Sequence, residues 1–418
     1  MKRPESVCDN AVTNRIVYAH AVAKHGSGQL FWIVTFARVC HFHHASLHRT
    51  PFCFFHKMSN EIRVRALRVF YKSFWGPEVT YVMFHLLGTL GGRFSLAQRE
   101  LAFAWRNDQS GAEGWNRHKL CRTWQEAART LQESGLNVNF GAIFCAPPSN
   151  REWGKGESRD WERFRVIKAL PLAAGAEPRV STLMADAVGT PRGELVFDID
   201  LDQRVYDRTG ICDCGTQRKA CAKCWFAFMD PAQMIMTALM EHLGVDRWFA
   251  YFTGRRGLAY CVCSEQVIQM TNLQRAQFVN SLAEPPTRHS DWGRYVFDLV
   301  RPHFQGHPVL RTRVGPDGDL YAAVMAQLWP KIDTAVGEDA SHLHSVPCTL
   351  HPDTAVYRMP LDRTRLFDFE NERWTLDDDK KLTRGVVKLH AVLLAHYITG
   401  RPANECWSDI QKAKMNAL

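Results

Sequence analysis

Residues 194–200 read Glu-Leu-Val-Phe-Asp-Ile-Asp, a stretch that leaves the backbone little choice. The apolar run predicts a buried strand. Side chains alternate along a strand, so Asp198 and Asp200 leave its end on one face. Neighbouring carboxylates repel, and each raises the other's pKa unless a cation stands between them. Divalent magnesium or manganese, which prefers oxygen ligands, resolves the conflict. A strand end running into an acidic turn at Asp202 and Asp207 would use the same letters, so the pair alone leaves metal binding open.

Cys212-x-Cys214-x6-Cys221-x2-Cys224 follows closely. Four thiols at this spacing can close a tetrahedral site, which suits zinc, and a closed four-thiolate site is structural. Zinc here would hold the loop 212–224 together beside the acidic strand. The chain has 13 cysteines, an odd number, and no clean secretory signal opens it, so a reducing compartment with a metal site is favoured over a disulfide framework. Next comes Thr253-Gly254-Arg255-Arg256-Gly257, between a strand ending in Ala250-Tyr251-Phe252 and one through Tyr260-Cys261-Val262. Glycines permit a tight turn and close backbone approach, and two guanidinium forks suit a triphosphate. An exposed basic hairpin would look the same, and in isolation is the simpler account. Asp333, after Trp329-Pro330-Lys331-Ile332, and His351, in Pro347-Cys348-Thr349-Leu350-His351-Pro352, are each weak signals alone.

With 418 residues, 46% hydrophobic and 23% charged, the chain has the composition of two or three globular units and not that of a collagen, coiled coil or disordered chain. The longest apolar stretch near the N-terminus, Leu30 to Ala37, stops at Arg38. That is far short of the ~20 residues of a membrane helix, so a soluble protein with no membrane partner is expected. Residues 1–57 carry seven Lys and Arg against Glu5 and Asp9, and so hold +5 of the net +9. Net charge therefore makes no case for nucleic acid.

The same 1–57 segment holds seven of the 18 histidines and no sustained period. It reads as upstream sequence joined by a misplaced start, as a transit segment, or as a genuine extension. The first is favoured, with Met58 as the start, because transit segments are usually serine-rich and less histidine-laden. Beyond it, spacing predicts helices at 61–75, 79–88, 123–134, 230–243, 264–283 and 290–301, and a closing helix at 377–398. Strands are predicted at 99–105, 137–145, 194–200, 247–253 and 257–263. Residues 148–160 and 171–192 read as connections. The sum is an α+β core with a small helical insertion.

Taken in order, these elements resemble the small, catalytic subunit of the archaeo-eukaryotic DNA primase family. The resemblance runs from about residue 58 to 398 and is closest over 194–268. It implies a mixed-sheet primase catalytic core over 58–270 and 329–418, a structural zinc loop, and a helical subdomain at 271–328. By this resemblance Asp198, Asp200 and Asp333 hold the catalytic Mg2+ or Mn2+. Thr253, Arg255, Arg256 and His351 hold the incoming nucleotide's phosphates, and Arg99, in Arg99-Glu100, lies near them. Cys212, Cys214, Cys221 and Cys224 hold Zn2+. The implied activity is template-dependent synthesis of short RNA primers from ribonucleoside triphosphates on single-stranded DNA by two-metal nucleotidyl transfer. The implied partners are a large subunit with an iron–sulfur cluster and, in a eukaryote, the DNA polymerase α complex. The compartment is the nucleus, or the mitochondrion if 1–57 is a transit segment.

Two positions depart from the family pattern. Ala259 stands where the family has a histidine, and Ser345 where it has a lysine. Losing one charge-assisted phosphate contact costs about 1.5–3 kcal/mol, tenfold or more in affinity or rate. Tyr260 is adjacent but should point to the opposite face, and His342 or His344 could compensate in part. Two rivals follow: a primase-polymerase extending with deoxynucleotides, and a catalytically silent nucleic-acid-binding subunit.

Overall fold

The computed structural model describes residues 60–143 and 192–415, apart from breaks at 120, 135, 203–204, 215–219, 315–317 and 377–381, together with two short strands nearer the N-terminus. The chain divides into two compact units, Met1–His56 and Lys57–Leu418. In the first, β1 (Ala21–Lys24) and β2 (Leu30–Ile33) pair antiparallel, Ala21 opposite Ile33. The sequence reading had found no strand period there. The two connections read at 148–160 and 171–192 lie outside the described residues, save Arg192 at the end of the second.

The larger unit is built on two four-stranded sheets. One has the order β10 (His344–Ser345), β5 (Asn137–Ile143), β3 (Arg99–Arg106), β4 (Glu113–Lys119). The other has the order β7 (Trp248–Phe252), β8 (Gly257–Val262), β6 (Leu195–Asp200), β9 (Ile332–Asp333). The α+β class stands. The sheets, expected to be mixed, are antiparallel at every described pairing.

Leu195, Phe197 and Ile199 point to one face of β6 and are fully buried. Phe197 meets Phe278 of the helix Asn272–Ala283, ring centroids 6.3 Å apart. Tyr260 of β8 uses the same face, where its hydroxyl donates to the Gln233 carbonyl on the helix Asp230–His242. That leaves the opposite face of β6, with Val196, Asp198 and Asp200, for the site.

The helices depart from expectation at their punctuation. The helix expected over 264–283 is two, Glu265–Ile268 and Asn272–Ala283, because Thr271 and Gln274 form a capping box that starts the second afresh. The helix expected to end at 301 runs Asp291–Gly306, through Pro302. The closing helix is Arg384–Thr399, capped by Thr383 and stopped by Gly400 at φ 70°. A further helix, Ala403–Met415, packs against it. Residues 77–87, expected as one helix at 79–88, start as α-helix and widen to a π-helical turn over Tyr81–Leu87.

Candidate active site

β6 brings Asp198 and Asp200 to one face, and β9 sets Asp333 directly opposite Asp198. Across the other edge of β6, Asp198 faces Ala259, which in turn faces Tyr251 of β7. Tyr251, Ala259, Asp198 and Asp333 therefore form one row across the sheet. Burial, reinforced by the charges of Asp200 and Asp333, raises the Asp198 carboxyl to about 8. A carboxyl that resists ionising among carboxylates is the mark of a group that takes a cation, and aspartate oxygens are donors that magnesium or manganese prefers. Asp333 itself is exposed, and its Oδ1 accepts from the Ala335 amide at 3.2 Å as the cap of the next helix.

A cleft of about 190 Å3 opens beside this row. Thr253, Arg255 and His351 line it together with Asp198 and Asp200. Gly254 makes the hairpin possible: its φ is +85°, and a Cβ there would stand 2.7 Å from the His351 Cβ. Gly257 is opposite Asp200, where a Cβ would lie 2.3 Å from the Asp200 Oδ1. Thr253 and Gly257 close the turn, Thr253 N and Oγ1 both donating to the Gly257 carbonyl at 3.0 and 3.1 Å.

The phosphate-binding candidates are not equivalent. Arg256 donates through Nε and Nη2 to Asp200 Oδ2 at 3.0 and 2.9 Å, so it occupies an acidic oxygen a metal would use. Arg255 lies 3.6 Å from Asp353. The His351 Nδ1 accepts from the Asp353 amide at 3.1 Å, which leaves Nε2 to carry the proton. Burial, with Arg358 and Arg255 nearby, holds His351 well below its ordinary value, so it is a neutral donor.

Arg99 is not brought to the cleft. It is fully buried and grips Glu194 with two parallel bonds of 2.8 and 2.7 Å, and His344 Nε2 lies 2.6 Å from the same carboxylate. Glu194 shares the face of Asp198 and Asp200, but at the sealed end of the strand. Removing one partner of a buried pair costs about 3–5 kcal/mol, because the other charge is left uncompensated. Glu194→Gln is therefore expected to lower denaturant stability by that amount, and a change under 1 kcal/mol would show the pair to be dispensable.

The two departures from the family pattern meet here. Ala259 sits between Tyr251 and Asp198, and the Tyr251 hydroxyl donates to the Ser345 carbonyl at 2.7 Å, with Ser345 Oγ at 3.0 Å. Tyr260 is on the far face. His344 is engaged by Glu194, while His342 lines the cleft, with burial lowering its pKa. Two polar lining residues, Tyr251 and Arg358, were missed from the sequence, as were the apolar Val196, Val336 and Leu343. For Arg358 the only signal is a lone basic residue in the apolar run Val356-Tyr357-Arg358-Met359.

The four cysteine sulfurs all lie within 4.8 Å of one another. Cys212–Cys214 is 3.3 Å, while Cys214–Cys224 and Cys221–Cys224 are 3.7 Å. A zinc tetrahedron with ~2.3 Å bonds has edges of about 3.8 Å, so the sulfurs fit the ion. A hydrogen bond with Cys224 pulls the Cys221 thiol below its ordinary value, the direction that suits a metal ligand. Arg208 ties this loop to the end of the acidic strand, donating to the Leu201 carbonyl and lying 3.5 Å from Cys214 Sγ. Trp225 then plugs into the core, stacked on Phe369 at 4.5 Å.

An antiparallel α+β core with an acidic row, an arginine hairpin and a four-cysteine loop would equip a protein to hold metal ions and to handle phosphate. Residues 197–363 match the family model of the DNA primase small subunit. The DNA primase small subunit of Saccharomyces cerevisiae is 26% identical over 233 residues, 56% of this chain and 46% of that protein. That of Schizosaccharomyces pombe is 21% identical over 352 residues, 65% of this chain and 68% of the relative. The DNA primase small subunit PriS of Pyrobaculum calidifontis is 26% identical over 172 residues, 40% of this chain and 51% of the relative. Among solved structures, the polymerase domain from Mycobacterium tuberculosis ligase D in complex with DNA covers 82% of this chain and 94% of its own, at 11% identity and a TM-score of 0.35, too low to define a fold. Over the matched regions the chain is similar to the DNA primase small subunit. It spans about half the length of the yeast and Pyrobaculum relatives it matches.

Proposed function

We propose that this chain is the catalytic subunit of a heterodimeric DNA primase, making short RNA primers on single-stranded DNA. The observation that carries the reading is the pairing of Asp198 with Asp333 across β6 and β9, which gathers three carboxylates beside a cleft lined by Thr253, Arg255 and His351. Magnesium or manganese held by Asp198, Asp200 and Asp333 would activate the growing strand's 3′-hydroxyl and neutralise the triphosphate and leaving pyrophosphate. Arg255 and the His351 Nε2–H hold phosphate oxygens and stabilise developing charge. Arg256, held by Asp200 and 3.6 Å from Asp202 Oδ2, would turn to the phosphates if Asp200 took a metal ion in its place. The protein performs little covalent chemistry of its own, so positioning dominates. Zinc at Cys212, Cys214, Cys221 and Cys224 holds the loop that adjoins the acidic strand.

Sequence is read by pairing with the template, so protein contacts to the nucleic-acid backbone are sequence-blind and weaken with salt. The partners are a large subunit carrying an iron–sulfur cluster and, in a eukaryote, the DNA polymerase α complex; the setting is nuclear replication, or the mitochondrion if residues 1–57 are a transit segment. The helices over 271–328 serve as a subdomain of the catalytic core.

Primer synthesis on a single-stranded template, with the large subunit, ribonucleotides and manganese, tests the reading. Products that disappear in Asp200→Asn are expected. Absence of product from the zinc-loaded complex would sink the catalytic reading in favour of a silent subunit. A preference for deoxynucleotides would reassign the chain to the primase-polymerases.

A further inference from the structure

Arg99 and Arg358 are both buried near the site, and the protein treats them differently. Arg99 is clamped by the Glu194 carboxylate. Arg358, 4% exposed and lining the cleft beside Asp198, Thr253 and His351, has no such partner. Its Nε donates to the Thr253 carbonyl at 3.2 Å, and its Nη1 donates to Asn137 Oδ1 at 3.2 Å and Thr349 Oγ1 at 3.0 Å. All three acceptors are uncharged, and Nη2 makes no hydrogen bond among the described residues. Asp198 and Asp353 act on Arg358 only through space. A guanidinium stays ionised even when buried, and a buried charge with neutral partners is costly until a counter-charge arrives.

Asn137 sharpens the contrast. Its Nδ2 is buried and has no hydrogen-bond partner. An aspartate there would forfeit no bond and would neutralise Arg358, so the asparagine keeps the positive charge available. The rest of the wall supplies little. Tyr251 and Ser345 satisfy each other, Ala259 offers a methyl group, and His351 is neutral. Arg255 and Arg256 are partly offset by Asp353 and Asp200.

We infer that Arg358 is a phosphate-binding residue of this cleft, supplying the triphosphate with the charge that the Ala259 and Ser345 positions lack. The inference rests on the nucleotide-transfer reading above and names a residue that reading does not use.

Calorimetric binding of GTP, inorganic tripolyphosphate and guanosine to the full chain in manganese tests it, with Arg358→Gln and Asn137→Asp beside the native protein. Both variants are expected to bind GTP and tripolyphosphate tenfold or more weakly, with guanosine unchanged. Asn137→Asp adds an ion pair and keeps the side-chain volume, so it decides the matter if Arg358→Gln does not fold; Arg358→Gln decides it in the converse case. GTP affinity within twofold of native in a folded variant overturns the inference and leaves the nucleotide-transfer reading intact. Native protein that binds neither GTP nor tripolyphosphate overturns both.

Discussion

Asp198→Asn is expected to stabilise the metal-free protein at pH 8 while abolishing nucleotide transfer. Burial and the neighbouring Asp200 and Asp333 raise the Asp198 carboxyl to about 8 in the folded chain, whereas an unfolded aspartate titrates near ~3.9. Between those values the folded state holds a proton that the unfolded state has released, so stability falls as pH rises through this window. The amide never ionises, and its variant should lose that slope. Manganese reverses the order. It binds the ionised carboxylates, so the native protein gains melting temperature on metal addition, more at pH 8 than at pH 6, and the variant gains little. Activity should drop by about a thousandfold or more, ~4 kcal/mol, the scale of a lost Lewis-acid contribution. Melting curves with and without manganese, at both pH values and with zinc retained, check the stability claim. A variant no more stable than native at pH 8 without metal would show that Asp198 is not held protonated by its burial and its acidic neighbours.

The second large effect concerns the cysteines. Cys214→Ser, or chelation strong enough to strip zinc, should cost more than ~4 kcal/mol, since the ion's binding energy is part of the folding energy of the loop it closes. The damage should reach the acidic site without touching it, because Arg208 links Cys214 to the Leu201 carbonyl, one residue past Asp200. Metal analysis of the purified full chain should find one zinc per protein, and near-ultraviolet circular dichroism should report the loosening of Trp225. A full chain that purifies without zinc, with melting indifferent to chelator, would refute the structural role.

The parts of the site legible in the sequence are those with strong local patterns. The Glu194–Asp200 run, the glycine-flanked arginines and the cysteine spacing each announce their geometry, and the strands on either side of Gly254 fall where alternation put them. Asp333 has no such pattern. Its strand is two residues long and exists because β6 offers an open edge, so only resemblance to known primases could single it out. β4, Glu-Gly-Trp-Asn-Arg-His-Lys, escaped notice because it has one apolar side chain in seven residues, as an edge strand can afford. The burial of Arg99 was equally hidden: its partner, Glu194, is far away in sequence, and a buried ion pair leaves no mark on the residues beside it.

The pairing of β6 with β9 also sets a timetable. A ribosome delivers residues at about 5–20 per second, and the strands β6, β7 and β8 emerge well before Ile332 and Asp333. A nascent chain can zip Asp198 and Asp200 into a sheet while one side of that sheet is still bare, with Arg256 at hand to offset Asp200 and Asp202. The third negative charge joins only when the far end of the domain has been made and the sheet has somewhere to seat it. A truncated product that stops before Ile332 therefore lacks the full acidic row.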